Sequence, residues 1–280
     1  MPPLRLQADR TSPRRSPNLS SPLAAGLAAA LLLLVPAGDV HAQSTVPSGP
    51  SADHPDLLRA EEAYFRGEPG EGIARLERLL ARDPEAYDVL WRAAWFSLAA
   101  GLLEETTAAQ NRWFRRGAAY ARRARTVRPR GTEGRYWLVA NLGLHAVQAG
   151  SAREMAELGE EVYRESRRLL GERPRHGGAH NVLGRTHFEV MSLSAFSRLL
   201  GRLFLGGNLL GQASWEKARF HLERAVQLDP RLVYFRLDLA RLHQARGRSR
   251  LARRHACRAL ALPALHPPDP KLKRAARRLL

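Results

Sequence analysis

Five times along this chain a stretch with helical periodicity runs into a proline, at Pro84, Pro129, Pro174, Pro230 and Pro263. Proline has no N–H to continue a helix and pushes the residue before it out of the helical region, so each marks a stop. The clearest stretch is ASWEKARFHLERAVQLDP, residues 213–230, in which Ala218, Leu222, Ala225, Val226 and Leu228 share one helical face. The intervals between the prolines are 45, 45, 56 and 33 residues. A recurring helix with a recurring stop predicts a repeat of elastic length. Each unit then holds two antiparallel helices, one face buried against the other and a second against the next unit. Small residues two turns apart, Ala218 with Ala225 and Ala252 with Ala259, let neighbouring helices approach closely. Strand signal is weak from Asp53 onward, so the expected class is all-α.

Composition narrows the chemistry. Of 280 residues 44% are hydrophobic, too many for wholesale disorder. The single cysteine, Cys257, cannot form an intrachain disulfide or a cysteine-bound zinc site, and it reads as a buried structural thiol. The net charge is +18 and almost all the positive charge is arginine, since Lys217, Lys271 and Lys273 are the only lysines. Such a charge points to anionic partners or to an arginine-biased coding pool.

The amino terminus reads as an address. Arg5, Arg10, Arg14 and Arg15 precede an apolar run over 23–35, and Val40-His41-Ala42 offers small residues for cleavage between Ala42 and Gln43. Residues 1–42 are expected to be a signal peptide, 43–52 a flexible linker and 53–280 a helical repeat domain, exported to the periplasm or outside the cell. Removing 1–42 takes away four arginines and two aspartates and leaves +16, so the basic character belongs to the folded part.

The repeating part resembles the tetratricopeptide repeat family. The matching residues are the pairs Leu142-Gly143 and Leu183-Gly184 and the turn glycines Gly67, Gly150 and Gly247. The small second-helix pairs Gly117/Ala124, Ala218/Ala225 and Ala252/Ala259 match too, as do the closing prolines. From His180 onward the order of features looks like the regulator-of-microtubule-dynamics branch. Those features are Leu183-Gly184-Arg185, a Leu/Phe-rich stretch ending near Gly206, Ser214-Trp215-Glu216-Lys217-Ala218, Leu228-Asp229-Pro230 and Leu262-Pro263. The resemblance implies a right-handed α-solenoid of about five helix pairs with a C-terminal capping helix. It implies a non-enzymatic scaffold that binds a protein or peptide, acidic segments included, on its concave face. Positions facing such a groove map to Asn181, Arg185, Tyr234, Arg241 and Gln244.

The fourth unit, which spans the 56-residue interval, carries an excess between Phe188 and Gly211. It reads either as a lengthened first helix with a loop packed on the next unit, or as an amphipathic element for a membrane surface or a partner's groove. Residues 246–280 hold eleven basic side chains and one acid, Asp269. With no aromatic among them and an exported chain, an anionic lipid leaflet or an acidic polymer is a better target than nucleic acid. The alternative to the scaffold is therefore a peripheral envelope protein using the amphipathic segment and this basic end. No catalytic constellation, phosphate loop or cofactor motif is present. His176, His180 and His187 fall close together but lack the companions that a metal site needs. Glu104-Glu105 and Glu160-Glu161 point about 100° apart on a helix and make no acid/base pair.

Overall fold

The computed structural model describes residues 54–204 and 208–280, so the expected signal peptide and linker lie outside the described residues. Thirteen helices and no strand occur among them. They are α1 (Pro55–Phe65), α2 (Pro69–Arg82), α3 (Tyr87–Leu103), α4 (Thr107–Val127), α5 (Thr132–Val147), α6 (Ala152–Glu172) and α7 (Gly177–Ser192). Then come α8 (Ala195–Phe204), α9 (Asn208–Gln212), α10 (Trp215–Leu228), α11 (Val233–Ala245), α12 (Ser249–Ala261) and α13 (Asp269–Arg277). Five helix pairs follow, α1/α2, α3/α4, α5/α6, α7/α10 and α11/α12, with α13 as the cap. Successive first helices also touch, α3 on α5, α5 on α7 and α7 on α11, as an α-solenoid requires.

Each second helix ends two residues before its proline. In the first four units the cap residues Asp83, Arg128, Arg173 and Asp229 have φ between −134° and −130°. Each still donates its N–H four residues back, to Leu79, Ala124, Leu169 and Ala225. The next three residues form the same turn each time. The N–H groups of Ala86, Gly131, His176 and Leu232 return to the carbonyls of those cap residues at 3.3, 2.9, 3.1 and 3.4 Å. Proline suits the second position of such a turn. Four joints of equal length, each with its cap held extended by the following proline, launch α3, α5, α7 and α11.

Turns within the units differ. Gly67 and Gly247 have φ of 93° and 69°, the region glycine is needed for. The third unit turns without a left-handed glycine. Gly150 donates its N–H to Glu154, and Ser151 caps α6 by accepting from the Glu154 N–H at 3.1 Å. The 45-residue spacings come from long second helices. α4 and α6 each span 21 residues, against 14, 14 and 13 in α2, α10 and α12.

Close approach depends on missing side chains. A Cβ on Gly184 would stand 2.9 Å from the backbone nitrogen of Leu222, so α7 and α10 meet nearly backbone to backbone. Gly117 leaves room for the side chain of Asn141, which is fully buried and donates to the carbonyls of Ala94 and Trp137 at 3.1 and 2.8 Å. Ala218, Ala225, Ala252 and Ala259 are all fully buried.

The insert departs from expectation. The first helix of the fourth unit is not lengthened, since α7 has 16 residues like α5. The excess becomes α8 and α9, and α9 folds back onto α6 of the preceding unit rather than onto the next. Leu209 is buried and its N–H reaches Glu160 Oε2 at 3.0 Å, while the Tyr163 hydroxyl donates to Gln212 at 2.6 Å. The reason is a gap: Gly159 on α6 exposes a bare backbone that Leu209 covers. Cys257, expected to be buried, is exposed on α12 because Ala252, Ala256 and Ala259 take the inward face.

Replacing Gly184 with Val is expected to cost about 1–3 kcal/mol by forcing α7 from α10. Gly171→Ala, where nothing stands within 4 Å of the added carbon, should be neutral or stabilise by up to about 1 kcal/mol. Paired thermal melts check the contrast.

Candidate functional site: the concave cavity

The first helices face inward and line a cavity of about 1570 Å³. Its walls are mainly apolar, with Trp95, Leu98, Trp137, Leu144, Val182 and Val190 among them. Trp95 and Trp137 stack at 5.8 Å between α3 and α5, and Tyr64 packs against Trp95 at 4.5 Å. None of these aromatics was singled out from the sequence. Their signal, Trp91-x-x-x-Trp95-Phe96 and Tyr136-Trp137 on first helices, is the same as that of an ordinary core.

A polar cluster sits on one wall, and it contains four of the five residues mapped from the resemblance. Asp238 on α11 is its hub and is only 4% exposed. Asn181 donates to Asp238 Oδ2 at 3.2 Å, and Arg241 to Oδ1 at 3.3 Å. Arg185 lies 3.8 Å from Asp238 and 3.2 Å from Glu189. Burial opposes the charge on Arg185, yet these two carboxylates hold its pKa above the ordinary value. Tyr234 meets Tyr136 hydroxyl to hydroxyl at 2.9 Å, joining α11 to α5 across the unit between them. Burial pushes Tyr136 up to about 12 and raises Tyr234 well above the ordinary tyrosine value, so both stay protonated. Gln244 is not part of this cluster. It is exposed at the end of α11, and its backbone carbonyl accepts from Gly247 at 3.0 Å.

The arginines in the cavity are already matched. The lining holds seven carboxylates and four arginines, and Arg153, Arg164, Arg185 and Arg241 each have a carboxylate within 4 Å. In a strongly basic chain the cavity wall is thus slightly acidic.

The carboxyl end completes the wall. After α12 the chain crosses the concave side, and Pro268, Asp269 and Leu272 line the cavity. The ring of His266 meets the Tyr64 hydroxyl of α1 at 3.2 Å. Asp269 holds the approach by accepting from the N–H groups of Leu265 and His266 at 2.8 and 3.0 Å. Lys271 reaches the end of α3, donating to the carbonyl of Glu104 at 2.6 Å and pairing with Glu105 at 3.3 Å. A lysine on the last carbonyls of a helix satisfies groups the helix leaves open and favours its dipole. The capping helix therefore covers the last pair and also straps it to the first two.

The histidines noted in the sequence serve packing. His176 caps α7, accepting from Ala179 N–H at 3.1 Å, and burial drives it down to about 4. His180 faces His221 at 2.8 Å and uses its other nitrogen on the Pro174 carbonyl. Burial lowers His187 and His221 to about 4 as well, with Lys217 and the neighbouring histidines adding to it. Among the described residues no group of three metal-ligating side chains is arranged to hold an ion.

The family profile described as Regulator of microtubule dynamics protein 1-3 matches residues 57–280. The chain belongs to this family. Among solved structures it is similar to TTC0263, a thermophilic tetratricopeptide repeat protein of Thermus thermophilus. The TM-score is 0.58 with 19% identity, covering 80% of this chain and 96% of that one. MamA from Desulfovibrio magneticus RS-1 is a more distant likeness, with a TM-score of 0.43 and 14% identity over 74% of this chain and 92% of that one. No curated protein matches significantly. The regulator-of-microtubule-dynamics match and the first structural likeness fix the fold as a tetratricopeptide-like solenoid. Within that family fold, the cavity and its strap are what this chain's own residues build.

Two outcomes are expected. Lys271→Ala should loosen the strap by about 1 kcal/mol, the scale of a helix-terminus cation. Hydrogen exchange should rise in α13 and at the end of α3 while α5 and α7 stay protected. Acid should also weaken the fold. His176, His187, His221 and His255 have folded values near 4, below the ordinary 6.5. The unfolded chain then binds more protons, so stability is full above about pH 6.5 and falls as pH drops toward 4. Denaturation midpoints across that window test it.

Proposed function

We propose that this chain is an exported, non-enzymatic binding protein that holds an apolar guest in its concave cavity. The observation that carries this reading is the cavity itself, about 1570 Å³ walled by tryptophan, leucine and valine, with one internally neutralised polar cluster. Sites of this make-up take molecules that bury an apolar body and present a few polar atoms. Because every lining arginine has a carboxylate partner, an uncharged or weakly cationic guest fits better than an anionic one.

The strap favours an amphiphile with a long apolar chain, since α13 walls off ground that a groove-binding peptide crosses. A hydrophobic segment of a partner protein is the second reading, and the aromatic first-helix surface of Trp95 and Trp137 favours it. Export rests on the basic start, the apolar run and the Ala42–Gln43 junction.

Gly143 supplies the test. It lines the cavity, and a carbon added there has no neighbour nearer than 4.0 Å. Gly143→Phe replaces a helical glycine and fills cavity space, so the fold should be no less stable. Binding of the neutral apolar dye N-phenyl-1-naphthylamine should weaken by about tenfold, the equivalent of some 1.4 kcal/mol. Displacement of the dye by long-chain amphiphiles but not by apolar peptides supports the first guest; the reverse supports the second. Equal dye affinity in the variant removes the cavity as the site.

A further inference from the structure

Charge is distributed unevenly in the folded chain. Ion pairs run through α1 to α11, from Arg59–Asp56 to Arg241–Asp238, and beyond them only Lys271 finds a carboxylate among the described residues. Of the eleven basic side chains in 246–280, three are engaged. Arg246 lies over the Trp215 ring at 5.0 Å, Lys271 caps α3, and Lys273 donates to the Leu262 carbonyl.

The other eight are exposed arginines with no hydrogen-bond or ion-pair partner for their side chains among the described residues. Arg250, Arg253, Arg254 and Arg258 stand on α12, and Arg274 and Arg277 on α13, which packs against it. Arg248 and Arg278 sit at the caps of these helices. The one acid of the region, Asp269, is 3% exposed and spends its carboxylate on backbone N–H groups. Behind them Arg236 is half-buried with an unpartnered Nε. Burial first, and the Arg258 guanidinium second, hold its pKa below the ordinary value. Coding bias accounts for arginine in place of lysine. It does not account for the lack of any exposed acid on these two helices, when ion pairs run through the helices before them.

We propose that the outer faces of α12 and α13 form a docking surface for an anionic lipid leaflet. Charge complementarity carries the choice of partner. Clustered arginines near a bilayer are attracted to anionic headgroups within a Debye length. Three exposed leucines lie among them, Leu251, Leu265 and Leu280 at 37%, 37% and 54% exposure. Exposed apolar side chains between cations suit the headgroup boundary. Nucleic acid is disfavoured, because no aromatic from 246 onward offers a base a stacking partner. This surface is separate from the slightly acidic cavity, so it stands or falls independently of the guest proposed above.

The chain's only cysteine provides the readout, because Cys257 is exposed on α12 among these arginines. Full-length protein labelled there with an environment-sensitive fluorophore is mixed with phosphatidylcholine vesicles, with or without phosphatidylglycerol. The neutral vesicles account for any insertion of the apolar run near the amino terminus. The expected result is a blue shift and at least tenfold stronger co-sedimentation with the anionic vesicles. Both should be lost near about 0.5 M salt, where the Debye length shrinks to a few ångström. The joint change R250E/R253E/R254E/R258E should abolish the preference, and the corresponding Arg→Lys set should keep it. Helical circular dichroism confirms that each variant is folded. Equal binding to both vesicles overturns the proposal, as does a preference that survives charge reversal. A response to heparin without one to anionic vesicles overturns it too, in favour of a soluble polyanion.

Discussion

A residue that precedes proline is kept out of the helical region, and this constraint sets the architecture. Asp83, Arg128, Arg173 and Asp229 all sit near φ −130°, and each closes its helix and opens a three-residue turn of the same length. Because the joint is the same four times, each new first helix leaves at the same offset from the second helix before it. Helices α4 and α6 add residues to the arms of the repeat without changing its hinge. Elastic repeat length and a regular stack are therefore compatible. The inner surface is a product of that regularity, since only equal joints keep α3, α5, α7 and α11 on one side.

How far this was legible depends on the range of the interaction. The stops, the small-residue faces and two of three turn glycines are local, and the chain spells them out. The polar cluster was legible in part. Asn181, Arg185, Tyr234 and Arg241 occupy positions that the repeat turns inward, so a position argument reaches them. The same argument reaches Gln244, yet Gln244 lies where α11 ends and the chain turns away. What joins the four was not legible. Asp238 is one acid among many in the sequence, and its role exists only once α7 and α11 lie side by side.

Contacts that close the molecule are further from sequence reach. Lys271 and Glu104 are 167 residues apart, and Tyr64 and His266 are 202 apart. No periodicity reports such a meeting. The same holds for α9, whose landing on α6 is set by the bare backbone at Gly159. The misplacement of Cys257 has a simpler origin. A lone thiol beside alanines was assigned to their face, but on a helix the residue next to a buried Ala256 points about 100° away.

The two charge patterns belong to one economy of space. Inside, room is scarce and each arginine must bring its carboxylate or lose its hydration uncompensated, which is why Arg185 and Arg241 converge on Asp238. Outside, on α12 and α13, hydration is free and cations can stand unpaired at little cost to folding. A chain under coding pressure toward arginine can place the surplus there harmlessly. Pressure on codons alone, however, acts on acids and bases separately, and it gives no reason for exposed acids to be missing from the same two helices. Their removal deepens the positive field without adding a packing contact, so it makes no gain in fold stability. Exposed arginines with no exposed acid beside them suit the anionic leaflet proposed as the partner of this surface.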